Sequence, residues 1–319
     1  MKAMTFIKGM VACMPFLWMA CSDTGQEAVE DSSRILVSID EFKGADGSRT
    51  VLDTTDYSVT WKQGDVIGIF PYEGYQEPFA IPDEQAGSKK ATFDGGYWAV
   101  KDGHYYNAYY PFHVDNFASA DMKTQIAVSY EGQTQNGSTC DIGDYLFTYS
   151  EWKEPTDGKI SFQFHHIGCL VIAQLTYPAT DTYTSLSLCT GDESLIPLEG
   201  TYNLTFNKDK TPQEGETYVK IPFVADNGSK ATSLSLALTN CSGTQGQTGT
   251  FYLMVPPMDL RETTSLSFKL TGEDGMVYEM TVDGTLFESG QKYVFTLGNL
   301  IANGMTGNAS DSDDSEFSN

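Results

Sequence analysis

Residues 265–270 read Ser265-Leu266-Ser267-Phe268-Lys269-Leu270, followed by Thr271-Gly272-Glu273-Asp274-Gly275 and then by Met276-Val277-Tyr278-Glu279-Met280-Thr281-Val282. Apolar residues recur at every second position: Leu266, Phe268 and Leu270 in the first arm, Met276, Tyr278, Met280 and Val282 in the second. Successive side chains of a strand point to opposite faces, so each arm has one apolar face. Gly272 and Asp274-Gly275 supply the turn chemistry between the arms. The stretch predicts a β-hairpin laid with one face against a core.

The same signature continues in both directions. Ile35, Val37 and Ile39 alternate with Leu36, Ser38 and Asp40, and Gly64-Asp65 opens the run Val66–Phe70. Tyr105–Tyr110 is an aromatic run stopped by Pro111, with half of its rings expected in the core. Ile160–Phe164 leads through His165-His166 into Leu170–Leu175, which is apolar enough for the centre of a sheet. Tyr293–Leu297 is the last strong strand. Turn pairs such as Gly95-Gly96, Asp157-Gly158 and Asn227-Gly228 separate the runs, and no stretch after the leader keeps a helical period over a normal helix length. The fold class predicted is therefore all-β, built as a sandwich.

A chain of 319 residues is long enough for two ordinary domains. The break falls best at Tyr177-Pro178, after the central strand and before the polar stretch Ala179–Thr184. The expected organisation is two β-sandwich domains in tandem, residues 34–178 and 179–300, with a polar acidic tail at 301–319. That tail is dominated by Gly, Asn, Ser, Asp and Glu, which bury too little apolar surface to become ordered.

The N-terminus carries a different message. Lys2 and Lys8 precede the apolar run Gly9–Ala20, which is too short to span a bilayer and has the layout of a secretory signal, residues 1–20. Cys21 follows at once, and residues 21–33 are a polar linker. A small residue before a cysteine at the end of such a run looks like a bacterial lipobox, in which the thiol is acylated and becomes the new N-terminus. Trp18 departs from that pattern, and simple cleavage after Ala20 is the alternative.

The formal charge of −24 becomes more negative once Lys2 and Lys8 are removed. Nucleic acid is excluded as a partner on this ground, because its binding requires clustered Lys and Arg. Outside the leader and Cys21 stand Cys140, Cys169, Cys189 and Cys241, none in a CxxC pair or a zinc spacing. Disulfides and buried free thiols both remain open for them.

No catalytic set is visible. The four histidines are His104, His113, His165 and His166, and no GxSxG elbow, HExxH helix or glycine-rich phosphate loop accompanies them. Neighbours on a strand face opposite ways, so His165 and His166 cannot chelate one metal together; one is expected inside and hydrogen-bonded, the other outside. The acidic run Asp311–Glu316 lacks the glycine and ligand spacing of a calcium loop. No cofactor, no metal and no enzymatic activity are expected.

Several blocks, taken in order, resemble the fimbrillin family of type V pilins and pilin-like surface lipoproteins. Trp61-Lys62-Gln63-Gly64-Asp65-Val66-Ile67-Gly68-Ile69-Phe70 is similar to the family's W-x-x-G-D-x-I-x-V-F. Ala91-Thr92-Phe93, Tyr109-Tyr110-Pro111-Phe112 and a strand leading to Gln133 follow. Phe162-Gln163-Phe164-His165-His166 resembles F-x-F-x-H, and Phe251–Pro257 and Gly290–Leu297 resemble the last strands. As architecture, Trp61 and Phe70 would fill the core, Gly64-Asp65 would turn the chain, and His166 would pack its ring while donating to a carbonyl.

The resemblance implies transthyretin-like sandwiches, export to the outer membrane through a lipid on Cys21, and removal of a leader strand by an Arg-specific protease. The emptied groove then takes a strand from the next subunit. Here the leader strand is Ile35–Phe42, with Ile35, Val37 and Ile39 suited to a groove, and the cleavage points are Arg49 or, less well placed, Arg34. The implied partners are other pilin subunits and a host or bacterial surface ligand. Residues 301–319 offer only Ile301, Met305 and Phe317 as scattered apolar positions, a poor donor strand, which favours a tip or accessory subunit. The competing reading is a monomeric surface lipoprotein that binds glycans.

Overall fold

Alternation in two distant segments is answered by one register. Ile35, Val37 and Ile39 stand opposite Ile160, Phe162 and Phe164, so both apolar faces turn the same way. Each buries its first two members completely or nearly so. In a computed structural model the described residues are 35–42, 59–71, 74–96, 100–118, 124–140, 142–207, 210–214 and 216–305, all within one unit, Ser33–Asn319. Among them there is no α-helix, only strands and three short 3-10 turns.

Seven strands close a barrel in the order Ile35–Ile39, Ile160–His166, Thr148–Ser150, Tyr106–Tyr110, Val66–Pro71, Glu77–Ala80 and Lys90–Gly95, which returns to Ile35–Ile39. The first strand is parallel to Ile160–His166 and antiparallel to Lys90–Gly95. A sandwich keeps two separate sheets; here Ile35–Ile39 joins the layers because it is paired on both sides.

The barrel interior is aromatic. Trp61 is 1% exposed and meets Phe93, Tyr110 and Phe164 edge-on at ring distances of 4.8, 5.4 and 6.2 Å. Gly64 takes φ +86°, the left-handed conformation that glycine adopts without strain. That turn brings Asp65 back to accept from the Lys62 N–H (2.7 Å) and from Tyr110 Oη (2.9 Å). Tyr106, Tyr109 and Tyr110 are all buried, more than the half expected of the aromatic run, because both faces of this strand are covered.

The other described strands form two facing sheets, a four-stranded sheet that contains Thr124–Ser129 and Glu199–Asn203, and two two-stranded ones. Cys169–Thr176 is the middle strand of one facing sheet, between Thr248–Val255 and Lys292–Leu297. The second has seven strands in the order Ile301–Met305, Met276–Thr281, Ser267–Gly272, Asp181–Cys189, Ser233–Gly243, Thr134–Asn136 and Thr139–Cys140. Phe268 of the second lies 5.0 Å from Phe295 of the first, ring to ring. The hairpin read from residues 265–282 is present, with Phe268 opposite Met280 and Leu270 opposite Tyr278. Four pairings span position 178: Cys169–Thr176 with Thr248–Val255 and with Lys292–Leu297, Thr124–Ser129 with Glu199–Asn203, and Thr134–Asn136 with Ser233–Gly243.

The chain stays paired beyond Leu300, where its composition suggests that order ends. Ile301–Met305 lies antiparallel to Met276–Thr281 although Ile301 is 70% exposed. Backbone hydrogen bonding, rather than burial of side chains, holds this edge strand.

Candidate functional site

The strand that closes the barrel is also the segment whose departure would open it. Ile35 and Val37 are 1% and 0% exposed, Ile39 packs against the core, and Phe42 is buried beyond the strand end. Burying an aliphatic or aromatic side chain contributes about 1.5–3 kcal/mol, so Ile35, Val37 and Phe42 together hold the segment by roughly 5–9 kcal/mol.

The outer face of the same strand carries a polar ladder. Ser38 Oγ donates to Gln163 Oε1 (2.5 Å), and Gln163 Nε2 donates to Asp40 Oδ1 (2.7 Å). His165 Nδ1 donates to the other oxygen, Asp40 Oδ2, at 2.6 Å. Parallel pairing produces this arrangement, because Ser38 stands opposite Gln163 while the Asp40 N–H donates to the Phe164 carbonyl (2.8 Å). On the inner face, His166 Nε2 donates to the Asp40 carbonyl (2.8 Å) and its ring stacks on Phe42 at 3.8 Å.

Both histidines are buried, at 5% and 1% exposure, which corrects the expectation of one inside and one outside. The ring of Tyr218 covers His165, stacked at 3.6 Å, so the outer face of the barrel is itself enclosed here. Burial pushes His166 down to about 4, against the opposing pull of the Asp40 carbonyl and charge; the ring is therefore neutral. Burial raises Asp40, but the hydrogen bond and charge of His165, with the Gln163 amide, outweigh it and leave this carboxyl below its usual range. An imidazole oriented by a carboxylate also occurs in acyl-transfer sites. This one is shut under Tyr218, and the arrangement is suited to holding a strand end rather than to turnover.

A second device lies on the edge of the three-stranded sheet. Met254 N–H donates to Gln133 Oε1 (2.8 Å), and Gln133 Nε2 donates to the Met254 carbonyl (2.7 Å). Tyr252 N–H donates to Gln135 Oε1 (3.1 Å), and Gln135 Nε2 donates to the Thr250 carbonyl (3.0 Å). Two side-chain amides at alternate positions thus occupy the hydrogen-bonding groups that another strand would use, a direct protection of an edge.

Of the residues singled out in the sequence, Ile35, Val37, Ile39 and His166 lie on barrel strands, Trp61 and Asp65 are buried just before Val66–Pro71, and Gly64 is in the exposed turn between them. Cys21, Arg34 and Arg49 lie outside the described residues. Cys169, Cys189 and Cys241 are buried free thiols, and burial raises the pKa of each. Asp40, Phe42, Gln163, His165, Gln133 and Gln135 were not legible as a site. The signals available were the polar positions between apolar ones in both strands, and the Gln-x-Gln spacing. Among the described residues no cluster of three His, Cys, Asp or Glu side chains could hold a metal ion.

Comparison with known proteins gives this architecture a family. A candidate cell adhesion protein from Bacteroides ovatus superposes with a TM-score of 0.52 at 16% identity, over 85% of this chain and 95% of that one. A second, from Bacteroides uniformis, gives 0.49 at 16% identity over 81% and 94%. The tip fimbrial protein Mfa3 from Porphyromonas gingivalis gives 0.33 at 9% identity over 84% and 95%. No curated protein matches the chain. A profile of the fimbrillin-like family matches residues 49–309, most of the sequence and nearly all of the two sheets and barrel. On that match the chain belongs to the fimbrillin-like family.

Proposed function

We propose that this protein is a structural and adhesive subunit of a surface fibre, not an enzyme, and that it joins the fibre by exchanging the strand Ile35–Ile39. The observation that carries this reading is the position of that strand, paired on both sides at the seam of a closed barrel. A cut after Arg49 would leave Ile35–Phe42 on one side and Val59 onward on the other, joined by contacts alone. Loss of the strand would bare the edges of Ile160–His166 and Lys90–Gly95 together with an apolar slot, a site for strand addition.

In this reading Cys21 is acylated and carries the precursor to the outer membrane, and proteolysis then frees the subunit from its lipid. The subunit accepts a strand but gives none, as a tip or accessory pilin does. Support comes from the sparse apolar residues after Leu300 and from Ile301–Met305, which is engaged in the chain's own sheet. A glycan-binding surface has less behind it: the exposed aromatic side chains among the described residues are Tyr75 and Tyr105, so the Tyr105–Tyr110 run offers one open ring.

Incubation of the exported protein with an Arg-specific protease and partner pilins tests the proposal. Trimming after Arg49 with entry into fibres is expected. A folded protein that resists the protease and never enters a fibre would overturn it.

A further inference from the structure

The slot that holds Ile35–Phe42 is more than an apolar groove, because its exit end makes chemically specific contacts. Gln163 Nε2 and His165 Nδ1 grip the two oxygens of one carboxylate, Asp40, at 2.7 and 2.6 Å. Two residues further on, the His166 ring presents a flat face on which Phe42 stacks at 3.8 Å and 14°. Between these, His166 Nε2 donates to the Asp40 carbonyl, which fixes the strand's position along its own axis. When the segment leaves, three groups lose their partners together: the Gln163 amide, the His165 imidazole, and the His166 ring with its Nε2–H. An incoming strand that supplied only alternating aliphatic residues would leave both donors without their carboxylate, and removing one partner of such a bond costs more than the bond itself contributes.

We propose that the groove selects its incoming strand by a carboxylate–x–aromatic signature at the exit end. The occupant is a strand of another subunit, parallel to Ile160–His166, with apolar residues at the positions of Ile35, Val37 and Ile39, Asp at that of Asp40 and an aromatic at that of Phe42. The proposal rests on the strand-exchange reading above and adds the chemistry of the partner. The sequence after Leu300 contains no such spacing: Phe317 is preceded two positions earlier by Ser315, and no apolar alternation leads up to it. The signature therefore also sets this chain's own C-terminal residues apart from the strands its groove takes.

A peptide competition tests both layers separately. The protein, trimmed by an Arg-specific protease, is incubated with a fluorescent acetylated peptide of residues 35–43, and retention is followed by anisotropy and gel filtration. The parent peptide is expected to enter. Its Asp40→Asn and Phe42→Ala forms are each expected to bind about tenfold or more weakly, as loss of a charge-assisted hydrogen bond or a buried ring implies. In the protein, His165→Gln is expected to shrink the preference for Asp over Asn. If the parent peptide enters and both altered peptides match it, the signature is wrong and strand exchange stands. If the parent peptide does not enter, strand exchange fails and the signature with it.

Discussion

His165 and Asp40 are 125 positions apart in the chain, yet Nδ1 of the one lies 2.6 Å from Oδ2 of the other. Their hydrogen bond joins the end of Ile35–Ile39 to the end of its parallel neighbour Ile160–His166. With Gln163 on the second oxygen, Asp40 is held by two side chains at the point where the chain leaves the barrel. Asp40→Ala removes the acceptor of both, and a loss of about 1–3 kcal/mol is expected in chemical denaturation. Asp40→Asn keeps one acceptor oxygen and should cost less. Equal stability of the wild type and Asp40→Ala would show that the ladder is incidental.

Acid should loosen the same region. His166 is neutral in the fold with a pKa of about 4, while in the unfolded chain it takes a proton near the ordinary value of about 6.5. Between these values the unfolded state binds more protons, so stability falls as pH drops from about 6.5 towards 4. The loss is roughly 3 kcal/mol from this residue. Asp40, held below its usual range, works in the same direction: its contribution is present at neutral pH and disappears as pH falls through its folded value. Denaturation at pH 7 and pH 4.5 should show the decline, and His166→Phe should flatten it. A pH-independent midpoint in the wild type would contradict the buried neutral ring.

Replacement of Gln133 probes the protected edge. Gln133→Leu keeps the volume but leaves the Met254 N–H and carbonyl, both on a buried strand residue, without partners. A cost of roughly 2–4 kcal/mol is expected. Because an uncovered edge can pair with another chain, concentration-dependent association should appear in sedimentation. A monomeric variant of unchanged stability would argue against the role given to the two glutamines.

Gly68 reports on the covered outer face of the barrel, which it shares with Tyr109. A Cβ placed there would sit 2.2 Å from Cε1 of Tyr109, closer than any real contact, so Gly68→Ala must displace a fully buried ring. The change should cost about 1–3 kcal/mol as overpacking does. Thermal unfolding compared with the wild type measures it directly.

Much of the fold was legible because its strands alternate cleanly. Leu266, Phe268 and Leu270, or Ile35, Val37 and Ile39, declare a buried face by period alone. Trp61 as a core ring and Gly64-Asp65 as a turn are expectations that come from the block resembling the fimbrillin pattern. What sequence could not show was pairing. Nothing in Ile35–Phe42 says that it runs parallel to Ile160–His166, and only that register brings Asp40 to Gln163 and His165. The enclosure of His165 escaped for a similar reason, since Tyr218 arrives from a segment 53 positions away. The strand Ile301–Met305 was missed because its pairing depends on backbone groups, which composition does not report.

The central claim is that Ile35–Phe42 leaves and another strand takes its place. Mass spectrometry of this subunit isolated from assembled fibres tests it most directly. The account predicts a mature chain that begins at Thr50 and lacks Ile35–Phe42. A fibre-borne subunit that begins at an acylated Cys21, with Ile35–Phe42 still part of the chain, would contradict it.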